Sequence, residues 1–222
     1  MDVLVTGSDG ELGREMAHAF RSAGHRVAVG GAQRADLEVV AKELDAEAIV
    51  CDFTDAAELT EARADFPPHL DAIVITPAHR PGRGDHRGVG LAEIAADWRG
   101  AFDRTLLPAV LIVHAVGENI RSGGSVIVCD DSTGDDAPAA AAKAALAAWT
   151  AGQAAHLGPR GISINAISVG RRGQAGYPGL STGLPPAAAE LSRLALFLTT
   201  PPARRITGQL LHAGRGAIAD LG

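Results

Sequence analysis

Three features of the chain predict a doubly wound α/β fold. First, the apolar stretch Asp2-Val3-Leu4-Val5 runs into Thr6-Gly7-Ser8-Asp9-Gly10-Glu11-Leu12-Gly13, and residues 14–23 then carry apolar side chains at helical spacing. Second, short apolar strands alternate with helical stretches along the rest of the chain. Third, the stretch 70–75 is almost wholly apolar, as expected of a parallel strand covered on both faces.

The 222 residues, 46% of them hydrophobic, suffice for one sizeable core, and no repeat or linker divides them, so residues 1–222 read as a single domain. Net charge is -6 and the basic residues are scattered, with Arg171-Arg172 and Arg204-Arg205 the only adjacent pairs, which argues against a nucleic-acid surface. No apolar run reaches the roughly 18 residues of a membrane span, and the first strand starts at residue 2, so a cytoplasmic protein is expected. Cys51 and Cys129 close the third and fifth strands, which such a sheet holds about four spacings of ~4.8 Å apart, too far for a disulfide. Both are expected to be buried thiols. His79 and His86 lack partners at metal-ligand spacing, and no metal is expected.

The opening turn has the chemistry of a dinucleotide cradle. Gly7 permits a sharp turn, Gly10 lets the backbone approach a pyrophosphate, and Gly13 lets helix and strand pack closely, while the N–H groups opening the helix face the anion. The residues Thr6, Gly7, Ser8, Asp9, Gly10, Glu11, Leu12 and Gly13 are therefore assigned to the cofactor. The second strand, 26–29, closes at Gly30-Gly31. An NAD-specific site places an acid at that strand end to bind the ribose hydroxyls, and none stands there. Arg34 is the nearby charge and can pair with a 2′-phosphate, which favours NADP over NAD; the alternative is a solvated loop arginine.

A helix over 37–44 and a third strand over 48–50 lead to Cys51-Asp52-Phe53-Thr54-Asp55. Asp52 can accept from an adenine amino group, and Thr54 and Asp55 cap a helix over 56–64. The fourth strand ends at Thr76-Pro77-Ala78-His79, and 79–90 reads as a mobile loop. A helical stretch follows over 91–121, with Pro108 marking a kink or break. Gly123-Gly124 leads into a fifth strand, 125–129, and Asp130 to Asp136 is unusually acidic for a strand's carboxyl end, where such folds bind ligands. These carboxylates are either solvated or receive a cationic ligand or partner. Pro138 starts an alanine-rich helix over 139–157 whose small side chains suit a subunit interface, helix propensity alone being the alternative. Lys143, the only charge between Asp136 and His156, needs a partner or a ligand. A sixth strand over 162–167, a helix over 191–198 and a final strand over 209–212 complete the series.

In this order of elements the chain resembles the short-chain dehydrogenase/reductase family over nearly its whole length. The resemblance rests on Thr6-Gly7 through Gly13, on Cys51-Asp52-Phe53-Thr54-Asp55 as the adenine-contacting strand end, on residues 161–170, and on Phe197-Leu198 followed by Ile206-Thr207-Gly208-Gln209. It implies a Rossmann fold with a seven-stranded parallel sheet flanked by helices, an NAD(P) cofactor, and a homodimer or homotetramer built partly on the helix carrying Lys143. It also implies a tyrosine four residues before a lysine to move a proton, a serine to hold the substrate oxygen and an asparagine for a relay.

Lys143 matches the lysine, but Ala139 stands at the tyrosine position, Asp131 or Ser132 at the serine and Asp97 at the asparagine. Ile75-Thr76-Pro77-Ala78 stands where the family has Asn-Asn-Ala-Gly beside the nicotinamide, and Val169-Gly170 replaces Pro-Gly. The glycine spacing is that of the family's extended branch, and Glu11 repels pyrophosphate if turned inward.

Three functions follow as expectations. The chain binds NADP(H) but performs alcohol/carbonyl hydride transfer poorly because Ala139 replaces the acid, serving instead a regulatory or structural role, for example in a hetero-oligomer. Alternatively it is an active reductase whose acid is Tyr177, its only tyrosine, or Asp131. Glu11 and the altered turns also suit a binding module with no nucleotide. No residue names a substrate.

Overall fold

The computed structural model describes residues 1–76, 90–130, 136–169 and 187–213. Seven strands, β1 (Asp2–Thr6), β2 (Arg26–Gly31), β3 (Glu47–Val50), β4 (Leu70–Ile75), β5 (Ile120–Asp130), β6 (Ser163–Val169) and β7 (Leu210–Ala213), pair in parallel in the order β3-β2-β1-β4-β5-β6-β7. The order reverses between β1 and β4, so a crevice for a ligand opens at their carboxyl ends. This is the Rossmann topology that the alternating pattern predicts.

Each strand feeds two cores because its side chains alternate in direction. Val3, Val5, Ile127 and Cys129 pack with α1 (Glu11–Ser22), α2 (Arg34–Leu44) and α7 (Ala187–Leu198). Leu4, Ile73, Val126 and Val128 pack with α3 (Ala56–Glu61), α5 (Leu107–Val116) and α6 (Ala137–Leu157), and α4 (Leu91–Thr105) lies along α6. Each large buried side chain contributes roughly 1.5–3 kcal/mol. The α1 stripe of Leu12, Met16, Ala17 and Phe20 shows why this segment is a helix: its apolar positions recur at three- and four-residue spacing and all are buried.

Several boundaries differ from the sequence expectation. The helical stretch breaks at Leu106, with Pro108 in the first turn of α5, where its missing N–H is no loss. β5 begins at Ile120, so Arg121 belongs to a strand rather than a helix. Leu70 opposes Ile120 but Ala72 opposes Ser125, and the extra residues bulge around Gly123 at φ 80°. That bulge turns Arg121 toward Asp71 and Asp2, at 2.9 and 3.2 Å, at the amino end of the sheet. Burial pushes the Asp71 carboxyl up, but the bonds from Arg121 and from the Asp2 N–H outweigh it and hold it below the usual carboxylate range.

The helical run Leu91–Asn119 has the length and apolarity of a membrane span, which the reading of apolar runs did not anticipate. Its α5 half is a core helix, with Ala109, Ile112, Val113 and Val116 buried against the sheet. Cys51 and Cys129 are both buried, as expected, with β2, β1 and β4 between their strands. Most of the expected 79–90 loop, with His79 and His86, lies outside the described residues.

Candidate cofactor and active site

Gly7 adopts φ 65°, and a Cβ there would lie 2.5 Å from the Thr76 carbonyl oxygen and 2.6 Å from its Oγ1. The Thr76 hydroxyl itself donates to the Thr6 carbonyl at 2.6 Å, pinning the ends of β1 and β4 together. A Cβ on Gly13 would lie 2.1 Å from the Gly7 carbonyl oxygen, so the helix sits directly on the turn. Gly10, the extended N-cap residue, is less constrained, since a Cβ there would meet only the Gly7 oxygen at 3.4 Å. The N-cap Gly10 has no side chain to cap α1, and among the described residues the N–H groups of its first turn are left for an anion. A close-packed backbone turn with open N–H groups fits the phosphates of a dinucleotide.

Not every assigned residue faces that ligand. The Ser8 hydroxyl donates to Val5 O at 2.9 Å and its N–H to Gly30 O at 2.9 Å, so this buried residue serves the turn instead. Thr76 is likewise spent on Thr6, Leu12 is buried in the α1 layer, and the Thr6 Oγ1 is buried with no hydrogen-bond partner among the described residues. Glu11 is exposed at the first position of α1, where a carboxylate suits the helix dipole.

At the carboxyl end of β2, Gly30 and Gly31 continue the strand rather than closing it. Phe53 is a core residue whose ring fills the space beside Gly30, where a Cβ would come within 2.6 Å, and it tilts against Phe66. Asp52 Oδ1 accepts from the N–H and hydroxyl of Thr54, at 2.8 and 2.7 Å, so Thr54 does not cap the helix. Asp55 does, accepting from Ala57 and Glu58. Arg34 begins α2, with its guanidinium 3.4 Å from Glu38 and 70% exposed.

At the other end, Asp130 follows Val126 and Val128 on the face covered by α6. It lies opposite Ser168 of β6, which lies opposite His212 of β7, so the three form one row across the carboxyl ends of the strands. Lys143 reaches this row from α6, its Nζ 3.4 Å from Asp130 Oδ2 and 3.5 Å from the Val169 carbonyl. The Ser168 hydroxyl donates to Val169 O at 3.2 Å and lies 3.5 Å from Asp130 Oδ2. His212 is held below its ordinary pKa by burial first and the Lys143 charge second, with Asp130 opposing.

Ala139 lies one turn before Lys143, its N–H donating to the Asp136 carboxylate at 2.7 Å. Sequence reasoning missed the roles of Asp130, Ser168 and His212. The need of Lys143 for a partner and the two-residue count back along β5 were the available signals. Pro77, Ala78, Asp131, Ser132, Gly170 and Tyr177 lie outside the described residues.

Residues 8–172 match a family model described as enoyl-(acyl carrier protein) reductase. A Mycobacterium tuberculosis protein, named only as an oxidoreductase, is 54% identical with 100% of both chains covered. The chain belongs to the short-chain dehydrogenase/reductase family. A short-chain dehydrogenase/reductase from Serratia marcescens superposes with a TM-score of 0.80 at 23% identity, covering 98% of each chain. BdcA of E. coli, in complex with NADPH, superposes with a TM-score of 0.76 at 22% identity, covering 96% of this chain and 92% of that one. In this short-chain dehydrogenase/reductase the glycine turn lies at the sheet's ligand crevice, and α6 brings Lys143 to the carboxyl end of β5.

Proposed function

We propose that this chain binds a nicotinamide dinucleotide along the Thr6–Gly13 turn and performs standard alcohol/carbonyl hydride transfer poorly. One observation carries the second half: Ala139 occupies the helical position one turn before Lys143, and the Lys143 ammonium lies against the Asp130 carboxylate. A methyl group at that position has no proton to give, and loss of a positioned general acid typically costs about 10²- to 10⁴-fold. Bound nicotinamide would supply or accept hydride. In this reading Lys143, whose Nζ lies 3.5 Å from the Val169 carbonyl, would hold its ribose side, and Asp52 would accept from the adenine. NADP(H), expected from Arg34, is supported by the NADPH complex of BdcA and weakened by the pairing of Arg34 with Glu38.

The polar row favours a second reading, an active NAD(P)-dependent reductase with a substituted acid. Ser168 and His212 bring exchangeable protons to that row, and Asp131 and Tyr177 remain the candidates for direct contact with a substrate. A silent subunit of a hetero-oligomer, or a homodimer or homotetramer through α6, suits the small side chains on that helix, and we place the protein in the cytoplasm. The test is NAD(P)H oxidation against a panel of aldehydes and ketones by the natural chain and by Ala139→Tyr. The natural chain should lie about 10²-fold or more below the variant. Equal turnover by the two would sink the claim that Ala139 impairs the chemistry.

A further inference from the structure

Asp9 belongs to the glycine turn by sequence but to the end of β2 by position. A Cβ built on Gly31, the last residue of β2, would lie 2.6 Å from the Asp9 Cγ and 2.7 and 3.0 Å from its two carboxylate oxygens. The carboxylate therefore fills the volume that a side chain at position 31 would occupy. Its Oδ2 accepts the Gln33 N–H at 2.9 Å, which fixes it against the start of α2. In a dinucleotide-binding sheet, the end of the second strand is where an acid accepts from the ribose hydroxyls. Sequence reasoning found no acid there because it looked along β2, whereas the turn after β1 delivers one.

We propose that Asp9 sets the coenzyme preference, selecting NAD(H) over NADP(H); this rests on the dinucleotide reading of the cradle. A 2′-hydroxyl can donate to the Asp9 carboxylate, whereas a 2′-phosphate brought to the same place meets a like charge. Arg34 does not reverse that sign, because it begins α2 with Glu38 3.4 Å from its guanidinium and Asp36 in the same first turn. Gly31 completes the arrangement, since any side chain there would displace the Asp9 carboxylate.

The test is isothermal titration of the natural chain and of Asp9→Asn with NADH and with NADPH. Asparagine keeps an oxygen for the Gln33 N–H and removes only the charge. The natural chain should bind NADH about tenfold or more tightly than NADPH, and Asp9→Asn should shrink that ratio by a similar factor, chiefly by tightening NADPH. Tighter NADPH binding by the natural chain overturns the proposal without any variant, and so does an unchanged ratio in Asp9→Asn. Binding of neither dinucleotide overturns the cradle reading itself and the role of Asp9 with it.

Discussion

Lys143 Nζ lies 3.4 Å from Asp130 Oδ2, with the two side chains 14% and 2% exposed. The pair ties α6 to the end of β5, and each charge is out of water because the other is present. Removing one partner of such a buried pair takes its counter-charge from the other, at about 3–5 kcal/mol. Lys143→Met and Asp130→Asn should each lower stability to urea by roughly that order, and the double variant should lose clearly less than their sum. Additive losses would show that the two are not energetically coupled.

His212 reports on the same pair. Its folded-state pKa is depressed, so the folded chain takes up a proton less readily than the unfolded one. Any stability this gives is present above the ordinary histidine value of 6.5 and is lost as pH falls through the folded value. Proton NMR should show His212 titrating below 6.5, lower still in Asp130→Asn and higher in Lys143→Met. A rise in Asp130→Asn would contradict the placement of Asp130 beside the imidazole.

The glycines separate into two kinds. Gly13→Ala drives a methyl group to 2.1 Å from the Gly7 carbonyl oxygen, so the backbone must move; a loss of about 1–3 kcal/mol or more is expected, together with loss of dinucleotide binding. Gly152→Ala, in the middle of α6 with nothing within 4 Å, should gain about 0.5–1 kcal/mol. Equilibrium unfolding of both variants checks the contrast.

Cys51 should be inert at neutral pH. Burial first, then the Glu58, Asp52 and Asp55 charges, push its thiol from 9.0 up to about 11. The folded state therefore holds its proton longer than the unfolded one, and the linked stability is complete below pH 9 and lost between about pH 9 and 11. Alkylation by iodoacetamide at pH 8 should follow unfolding; rapid modification of the native chain would contradict the burial.

What was legible in the sequence was local. The strand, turn and helix around Gly7 and Gly13 are neighbours in the chain, and Asp55 caps α3 by accepting from N–H groups two and three residues ahead of it. What was hidden depends on pairing between distant segments. Asp130 meets Lys143 only because β5 and α6 stack, and Arg121 finds Asp2 and Asp71 only because β5 bulges against β4. Phe53 and Ser8 were placed by position in a motif, but side-chain direction sent one into the core and the other back to Val5. In the sequence Asp9 belongs to the phosphate loop alone, because the approach of the turn to Gly31 has no trace along the chain.

The most direct test of the account is a thermal unfolding titration of the natural chain with NAD, NADH, NADP and NADPH. A ligand that binds only the folded state adds about 2.7 kcal/mol at ~100 times its dissociation constant. A saturable rise in melting temperature is expected with at least one of the four, strongest for the NAD(H) pair. No response to any of them would contradict the cradle, and with it the reading of this chain as a dinucleotide-binding protein.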